Sequence, residues 1–375
     1  MIEDFKRIYE TRHEYIKGWK EKHPDRKIMG YMCTYMPEEI LYAANVLPIR
    51  ILGAHEPQNV TEPHIMGMFC PFCRDVLAQG LLGRYDYLDG IGITYTCQHI
   101  TQAYESWVLH KKIDSFFIAT QNSTQTPRAL PYLRGQLKLF KEKLEDWTGK
   151  EITEEDLRRG IEIVDTTRRL MREVYEMRKA EDPPISGLDS MFMVVASQMS
   201  DKEEFNGILE DVIKNELPGR KAMEDPGIRL MMIGSENDDV KFIDMVENSG
   251  GSIVVDDHCT GGRYFWNTTE KTGDALTDIA DRYIKRPPCP IKDIPARNRT
   301  AHLISLAREW DVAGVVEIQQ KFCDPHEMDK VAISKGLEEA GFPTLYLEFD
   351  VTVPVGPFRI RIEAFLETLG SEDLF

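Results

Sequence analysis

Residues 90–119 read GIGITYTCQHITQAYESWVLHKKIDSFFIA, and the order of elements in that stretch decides the fold. Residues 90–94 form a short β-favouring run, which predicts a strand. Residues 99–110 carry Tyr104 and Trp107 at helical spacing, and residues 116–119 are again a short apolar run. Strand, helix and strand in close succession imply two parallel strands joined by a crossover helix.

Outward from this unit the alternation continues. Residues 27–31 predict a strand, a Cys33-Thr34-Tyr35 loop follows, and Pro37-Glu38-Glu39 has the proline and acidic first turn of a helix start. Residues 46–52 predict the next strand, and a helix opens at Pro71 and runs to about residue 82. Residues 1–26 place Phe5, Tyr9, Tyr15 and Trp19 at helical spacing, which predicts one leading helix. Between about 130 and 225 strand signals vanish. Residues 137–147 and 156–179 are amphipathic, the second opened by a capping-box-like Thr153 to Asp156. Apolar strand-like runs return at 228–233, 252–255, 314–318 and 344–349, each followed by helix-like sequence. The expected fold is α/β: two doubly wound, flavodoxin-like parallel-sheet domains (1–125 with the leading helix, and 226–375) joined by a helical connector (126–225). A length of 375 residues accommodates this at roughly 100–200 residues per domain.

Composition excludes several classes. Lys and Arg number 46 against 63 Asp and Glu, a formal net charge of −17 that repels a phosphate backbone, so nucleic acid is not expected as a partner. No apolar run reaches the roughly 18 residues of a membrane span, and the N-terminus lacks a basic start followed by an apolar stretch, so a cytoplasmic protein is expected, without a membrane partner. No Gly-x-Gly-x-x-Gly turn or P-loop is present; ATP, if used, is hydrolysed elsewhere. Seven cysteines, an odd number dispersed over a long chain, speak for reduced thiols rather than a disulfide framework.

Ligands in parallel α/β sheets collect beyond the carboxyl ends of the strands, and three cysteines fall there. Cys97 lies just past the 90–94 strand, Cys323 just past the 314–318 strand, and Cys70 immediately precedes Pro71 at a helix start. A helix N-terminus favours a thiolate. Thiolates drawn from both domains could meet in the cleft between them, where they would suit zinc or an iron–sulfur cluster and leave one coordination position open. Two other readings remain at this point: three buried inert thiols, or a redox pair in Cys70-Pro71-Phe72-Cys73, whose second thiol lies one helical turn from the first.

The stretches Gly30-Tyr31-Met32-Cys33-Thr34-Tyr35-Met36-Pro37-Glu38-Glu39, Cys70-Pro71-Phe72-Cys73-Arg74-Asp75, Tyr85-Asp86-Tyr87-Leu88-Asp89-Gly90 and Thr96-Cys97 resemble the benzoyl-CoA reductase and 2-hydroxyacyl-CoA dehydratase family. So do Phe322-Cys323-Asp324-Pro325, Gly341-Phe342-Pro343, Leu347-Glu348-Phe349-Asp350 and Arg359-Ile360-Arg361-Ile362-Glu363-Ala364-Phe365, and the resemblance spans nearly the whole chain. It implies a 4Fe-4S cluster held by Cys70, Cys97 and Cys323, a related iron–sulfur subunit as heterodimer partner, and an ATP-hydrolysing iron–sulfur activator. It also implies an acyl-CoA substrate, reduced by one electron to a ketyl radical anion that leads either to ring reduction, as in anaerobic aromatic degradation, or to expulsion of a hydroxyl. Two features depart from many relatives: Gln98 stands after Cys97, and Cys73 offers an alternative ligand. The segment from Cys70 to Gly80, with Tyr95, Tyr104 and Trp107 nearby, looks more like benzoyl-CoA reductase than the aliphatic dehydratases. A non-catalytic, electron-storing relative with a larger cluster is the reading from another class.

Among other candidates, Asp256-Asp257-His258-Cys259-Thr260-Gly261-Gly262-Arg263 follows a strand. Gly261 and Gly262 there would permit close backbone approach and Arg263 would meet a CoA phosphate or carbonyl, while Cys259 is not taken as a ligand. The same glycines would serve equally in a plain turn. His99 and His326 follow cysteine loops and are candidate proton donors, although a capping role is commoner for such residues. Arg359 and Arg361, placed just before the last helix, would pair with Glu348 or Asp350 or bind phosphate.

Overall fold

The computed structural model describes residues 2–56 and 59–372. The chain opens with α1 (Ile2–Glu10) and α2 (Arg12–Lys22), so the single leading helix expected above is two, broken at Thr11. Then follow β1 (Ile28–Tyr31), α3 (Glu38–Ala43), β2 (Leu47–Arg50), α4 (Pro71–Leu81), β3 (Gly90–Thr94), α5 (Gln98–Lys111) and β4 (Asp114–Ile118). The strands form one parallel sheet in the order β2-β1-β3-β4, with Gly30 beside both Ile49 and Ile91 and Gly92 beside Phe116. β1, β2 and β3 are buried along their whole length, which is why they read as apolar runs rather than as alternating patterns.

Four helices come next: α6 (Ala129–Thr148), α7 (Glu154–Met177), α8 (Gly187–Met199) and α9 (Lys202–Asn215). The Thr153–Asp156 capping box is present, with the Asp156 N–H donating to Thr153 Oγ1 at 3.2 Å and the Thr153 N–H to Asp156 at 2.9 Å. These helices are more than a tether. α7 lies against α3, closely enough that a Cβ at Gly160 would collide with the Glu39 carbonyl, while α8 touches both β2 and a strand of the second sheet, β6 (Gly251–Asp257). One continuous apolar core therefore runs from Phe5 through Met193 and Val195 of α8 to Val316 and Leu347.

The second sheet is built from β5 (Ile228–Gly234), α10 (Val240–Asn248), β6 (Gly251–Asp257), α11 (Ala275–Lys285), α12 (Arg299–Glu309), β7 (Gly314–Gln320), α13 (Asp324–Glu339), β8 (Thr344–Phe349) and α14 (Val355–Glu372). Its strands are parallel in the order β6-β5-β7-β8, the same winding as the first. In both sheets the order reverses beside the first strand, and that reversal opens a crevice at the carboxyl ends. Arg359 and Arg361 lie inside α14 rather than before it; Arg361 donates to the Tyr346 carbonyl at 2.7 Å, and Asp350 pairs with Arg74 of α4.

Candidate functional site: a thiol-lined cavity between the two sheets

The carboxyl ends of the two sheets face each other across a cavity lined mainly by apolar side chains and thiols. Its wall takes residues from the loops after β1, β3, β5, β6 and β7 and from the start of α4. Cys70, Cys97 and Cys323 all line it, and each is the N-cap residue of a helix: α4, α5 and α13 respectively. The positive helix ends thus point toward the sulfurs. Phe322 adopts a φ of 59°, a left-handed conformation unusual for a bulky side chain, at the turn that delivers Cys323.

The neighbouring Cys323 and Cys73 thiols push Cys70 well below the ordinary thiol pKa, while Cys323 and Cys73 are themselves raised. Burial pushes Cys97 up as well. An apolar pocket that raises thiols is a poor place for a free thiolate and needs a cation or metal to stabilise one. Gln320, the last residue of β7, accepts the Phe72 N–H, and its own amide donates to the Glu236 carbonyl at 3.0 Å. This residue ties the Cys70 turn to the second sheet.

The remaining four cysteines line the same cavity: Cys33 just past β1, Cys73 in the first turn of α4, Cys259 just past β6, and Cys289 on the segment between α11 and α12. Cys259, set aside as a ligand on sequence, therefore stands in the same wall as the three chosen ones. Cys33 and Cys259 obey the same just-past-the-strand rule that singled out Cys97 and Cys323. For Cys289 the sequence holds no such signal, because an irregular loop brings it in.

His326 lines the cavity with its Nε2 buried and without a hydrogen-bond partner among the described residues. Burial, with Arg263 and Arg299 nearby, lowers its pKa far below the usual histidine range, so the ring is neutral. His99 stands behind the wall: its Nδ1 accepts the Cys70 N–H at 3.1 Å, its Nε2 faces Asp324 at 3.5 Å, and it stacks on Phe69 with ring centroids 4.7 Å apart. It spans the Cys70 turn and the residue after Cys323.

Gly261 and Gly262 do not reach the cavity; they close the loop onto Asp256, whose carboxylate accepts the Gly262 N–H at 2.6 Å and leaves no space for a Cβ at Gly261. Arg263 does line the wall, but its guanidinium is committed to Asp257 (3.2 Å) and to the Gly234 carbonyl (2.6 Å). Burial resists ionisation of Asp257, yet Arg263, Arg299 and His302 outweigh it and hold the carboxyl well below its ordinary pKa. Tyr104 and Trp107 belong to the core around the first sheet, Trp107 edge-on to Tyr85 at 6.0 Å, and neither lines the thiol cavity.

Twin doubly wound parallel sheets with a thiol-lined crevice at their carboxyl ends define an α/β protein that gathers soft donor atoms between the two sheets. The family model described as "2-hydroxyglutaryl-CoA dehydratase, D-component" matches residues 33–369, and the chain belongs to that family. It is 26% identical over 368 residues to the (R)-phenyllactyl-CoA dehydratase beta subunit of Clostridium sporogenes, covering 98% of both chains. It is also 26% identical to a subunit of the benzoyl-CoA reductase of Thauera aromatica, over 94% of this chain and 93% of the relative. Identity to the (R)-2-hydroxyglutaryl-CoA dehydratase beta subunit of Acidaminococcus fermentans is 23%, over 98% and 99% of the two chains. Reductase and dehydratase subunits thus match to the same degree. None of the described helices is long and apolar enough to cross a membrane.

Proposed function

We propose that this chain is a cytoplasmic iron–sulfur subunit of an acyl-CoA reductase or dehydratase, with a 4Fe-4S cluster on Cys70, Cys97 and Cys323. It works beside a related partner subunit, is charged by an ATP-hydrolysing iron–sulfur activator, and acts on a CoA thioester, benzoyl-CoA being the candidate the sequence resemblance favours. The convergence of three helix-capping thiols from both domains on one apolar cavity carries the reading. Among the described residues no group of three or more His, Cys, Asp or Glu side chains is already drawn together to hold a metal ion. Thiols arrayed around a space suit a cluster, in which each sulfur meets a different iron.

When bound, the cluster supplies single electrons at low potential. The protein contributes the rest. Helix N-termini favour the thiolates, the cavity wall excludes water that would consume such an electron, and His326 stands in that wall as the candidate proton donor. His99 positions the Cys70 turn without lining the cavity.

The test is anaerobic purification with iron and sulfide quantitation, then turnover of benzoyl-CoA against a 2-hydroxyacyl-CoA with partner and activator supplied. Bound iron with ring reduction establishes the reductase, and dehydration moves the chain to the sister branch. Cys97→Ala is expected to lose iron and activity while circular dichroism stays native. Full iron and activity in that variant would remove Cys97 from the ligand set.

A further inference from the structure

We infer that a groove between α7 and α11, apart from the thiol cavity, is a phosphoryl-binding site, with Arg282 as the group that receives the anion. Its ligand class is a phosphorylated nucleotide. CoA is the member that the proposed function supplies, and in naming it the inference rests on that reading.

The groove is bounded by Arg168, Arg169 and Arg172 of α7, by Arg282 and Lys285 of α11, and by residues 265–270. It shares no lining residue with the thiol cavity, yet the same two segments wall both. Arg263 lines the cavity and Trp266 the groove; Arg286 lines the cavity and Arg282, one helical turn earlier, the groove.

Arg282 is 2% exposed and has no ion-pair partner among the described residues. Its Nε donates to the Asn267 carbonyl at 3.1 Å and its Nη2 to the Tyr264 carbonyl at 2.9 Å. The two carbonyls hold the guanidinium in place. Nη1, which makes no hydrogen bond among the described residues, is the donor left for a ligand. Burial, with Arg168 and Arg286 close by, lowers the Arg282 pKa to about 9, so an anion that reaches the guanidinium stabilises it. Asn267, whose Nδ2 donates to the Arg282 carbonyl at 3.2 Å, also keeps an Oδ1 without a partner among the described residues.

The other cations of the groove already face carboxylates. Arg168 is spent on Glu39 (2.6 Å) and Asp165 (2.8 Å), and Arg172 on Glu176 (2.7 Å). Arg169 pairs with Glu162 at 3.0 Å, and Lys285 with Asp281 at 2.7 Å and Glu270 at 3.2 Å. Of the carboxylates in the wall, Glu176, Glu270 and Asp281 are thereby neutralised and Glu173 is exposed. The uncompensated charge is that of Arg282. Arg169 and Lys285 stand at the exposed lip, where surface pairs contribute little and exchange partners readily. A phosphoryl group matches this arrangement: one oxygen takes the buried guanidinium in a charge-assisted hydrogen bond, and the others face the two cations of the lip. Two nucleotides accompany the proposed reaction, CoA and the ADP left by the activator. CoA is favoured because groove and cavity share their wall, and a CoA ester carries its phosphates on a long arm away from its thioester.

The experiment measures binding of CoA, ADP and inorganic phosphate to the full chain by equilibrium dialysis at low salt, beside Arg282→Gln and the surface double variant Arg169→Ala/Lys285→Ala. The expected result is saturable CoA binding, weakened roughly tenfold or more by Arg282→Gln and about threefold by the double variant, with inorganic phosphate competing. ADP binding as tightly as CoA, with the same dependence on Arg282, would keep the phosphoryl site and remove CoA as its preferred occupant. Unchanged CoA affinity in both variants, or no binding of any of the three to the folded native chain, would overturn the site and leave the iron content and thioester turnover of the proposed function untouched. A chain that binds no iron yet shows Arg282-dependent phosphate binding would sink the function and keep the site. Where Arg282→Gln fails to fold, the double variant decides.

Discussion

The two sheets share one strand order but end in different chemistry. At the carboxyl end of the first, the cavity wall is made of thiols, Thr34, Thr96 and apolar side chains, with Arg50 its charged contribution among the described residues. At the end of the second, Glu236, Asp238, Asp257, Arg263 and Arg299 are packed together out of solvent. The charged edge carries an ion-pair frame of its own around Asp257, which receives Arg263 (3.2 Å), Arg299 (3.2 Å) and His302 (3.3 Å). The thiol edge has no comparable network and is held from across the cavity, by Gln320 on the Cys70 turn and by Glu236, Gln198 and Thr260 on Arg50. One winding thus yields a half with an ion-pair frame around Asp257 and a half tied in from across the cavity.

Breaking the frame gives the largest expected effect. Asp257→Ala leaves Arg263 and Arg299 buried with one carboxylate fewer, a loss of about 3–5 kcal/mol, read from urea unfolding. Because the folded pKa of Asp257 is depressed, its contribution is complete above the unfolded value of about 3.9 and fades as pH falls toward the lower folded value. The variant should therefore lose less stability than the native chain on acidification below about pH 4. A cost under about 1 kcal/mol, with an unchanged acid limb, would mean that the frame is not what stiffens this half.

The second test targets a link across the seam. His55, in the loop after β2, pairs with Asp238 at 2.7 Å. Burial alone would lower its pKa, but Asp238, with Asp239 and Glu236 behind it, pushes it up to about 10. A raised folded pKa means stability that is complete below the unfolded value of about 6.5 and lost as pH rises through about 10. His55→Gln is expected to cost about 1.5–3 kcal/mol at neutral pH and nearly nothing at the alkaline end. An equal deficit at both ends in thermal melts would show that the ion pair is not the cause.

The same contrast explains what could be read in advance. Strands β3 and β7 were legible because buried parallel strands read as largely apolar runs between loops, and the cysteines behind them followed from the topology. α8 was not, since Met191–Met199 is buried on every side and carries no helical stripe. Glu38 and Glu39 read only as the acidic first turn of a helix, yet they are buried against Lys202 (2.9 Å) and Arg168 (2.6 Å), partners distant in sequence. Gly261 and Gly262 looked like a substrate loop because local sequence cannot distinguish a turn that admits a ligand from one that admits its own Asp256. Cys289 was invisible because no strand precedes it.

The smallest effect sharpens the comparison at its edge. Arg74 of α4 pairs with Asp350 past β8, joining the helix that carries Cys70 and Cys73 to the second sheet, but Asp350 is nearly half exposed. Solvent screens such a pair, so Asp350→Asn should cost no more than about 1 kcal/mol, less at high salt. If the thiol edge depends on its neighbour, this small loss should still register locally as faster hydrogen exchange in the first turn of α4, with β5 and β6 unchanged. Uniform protection throughout α4 would show that Gln320 alone holds the Cys70 turn, and that the seam is stiffer than its exposed ion pair.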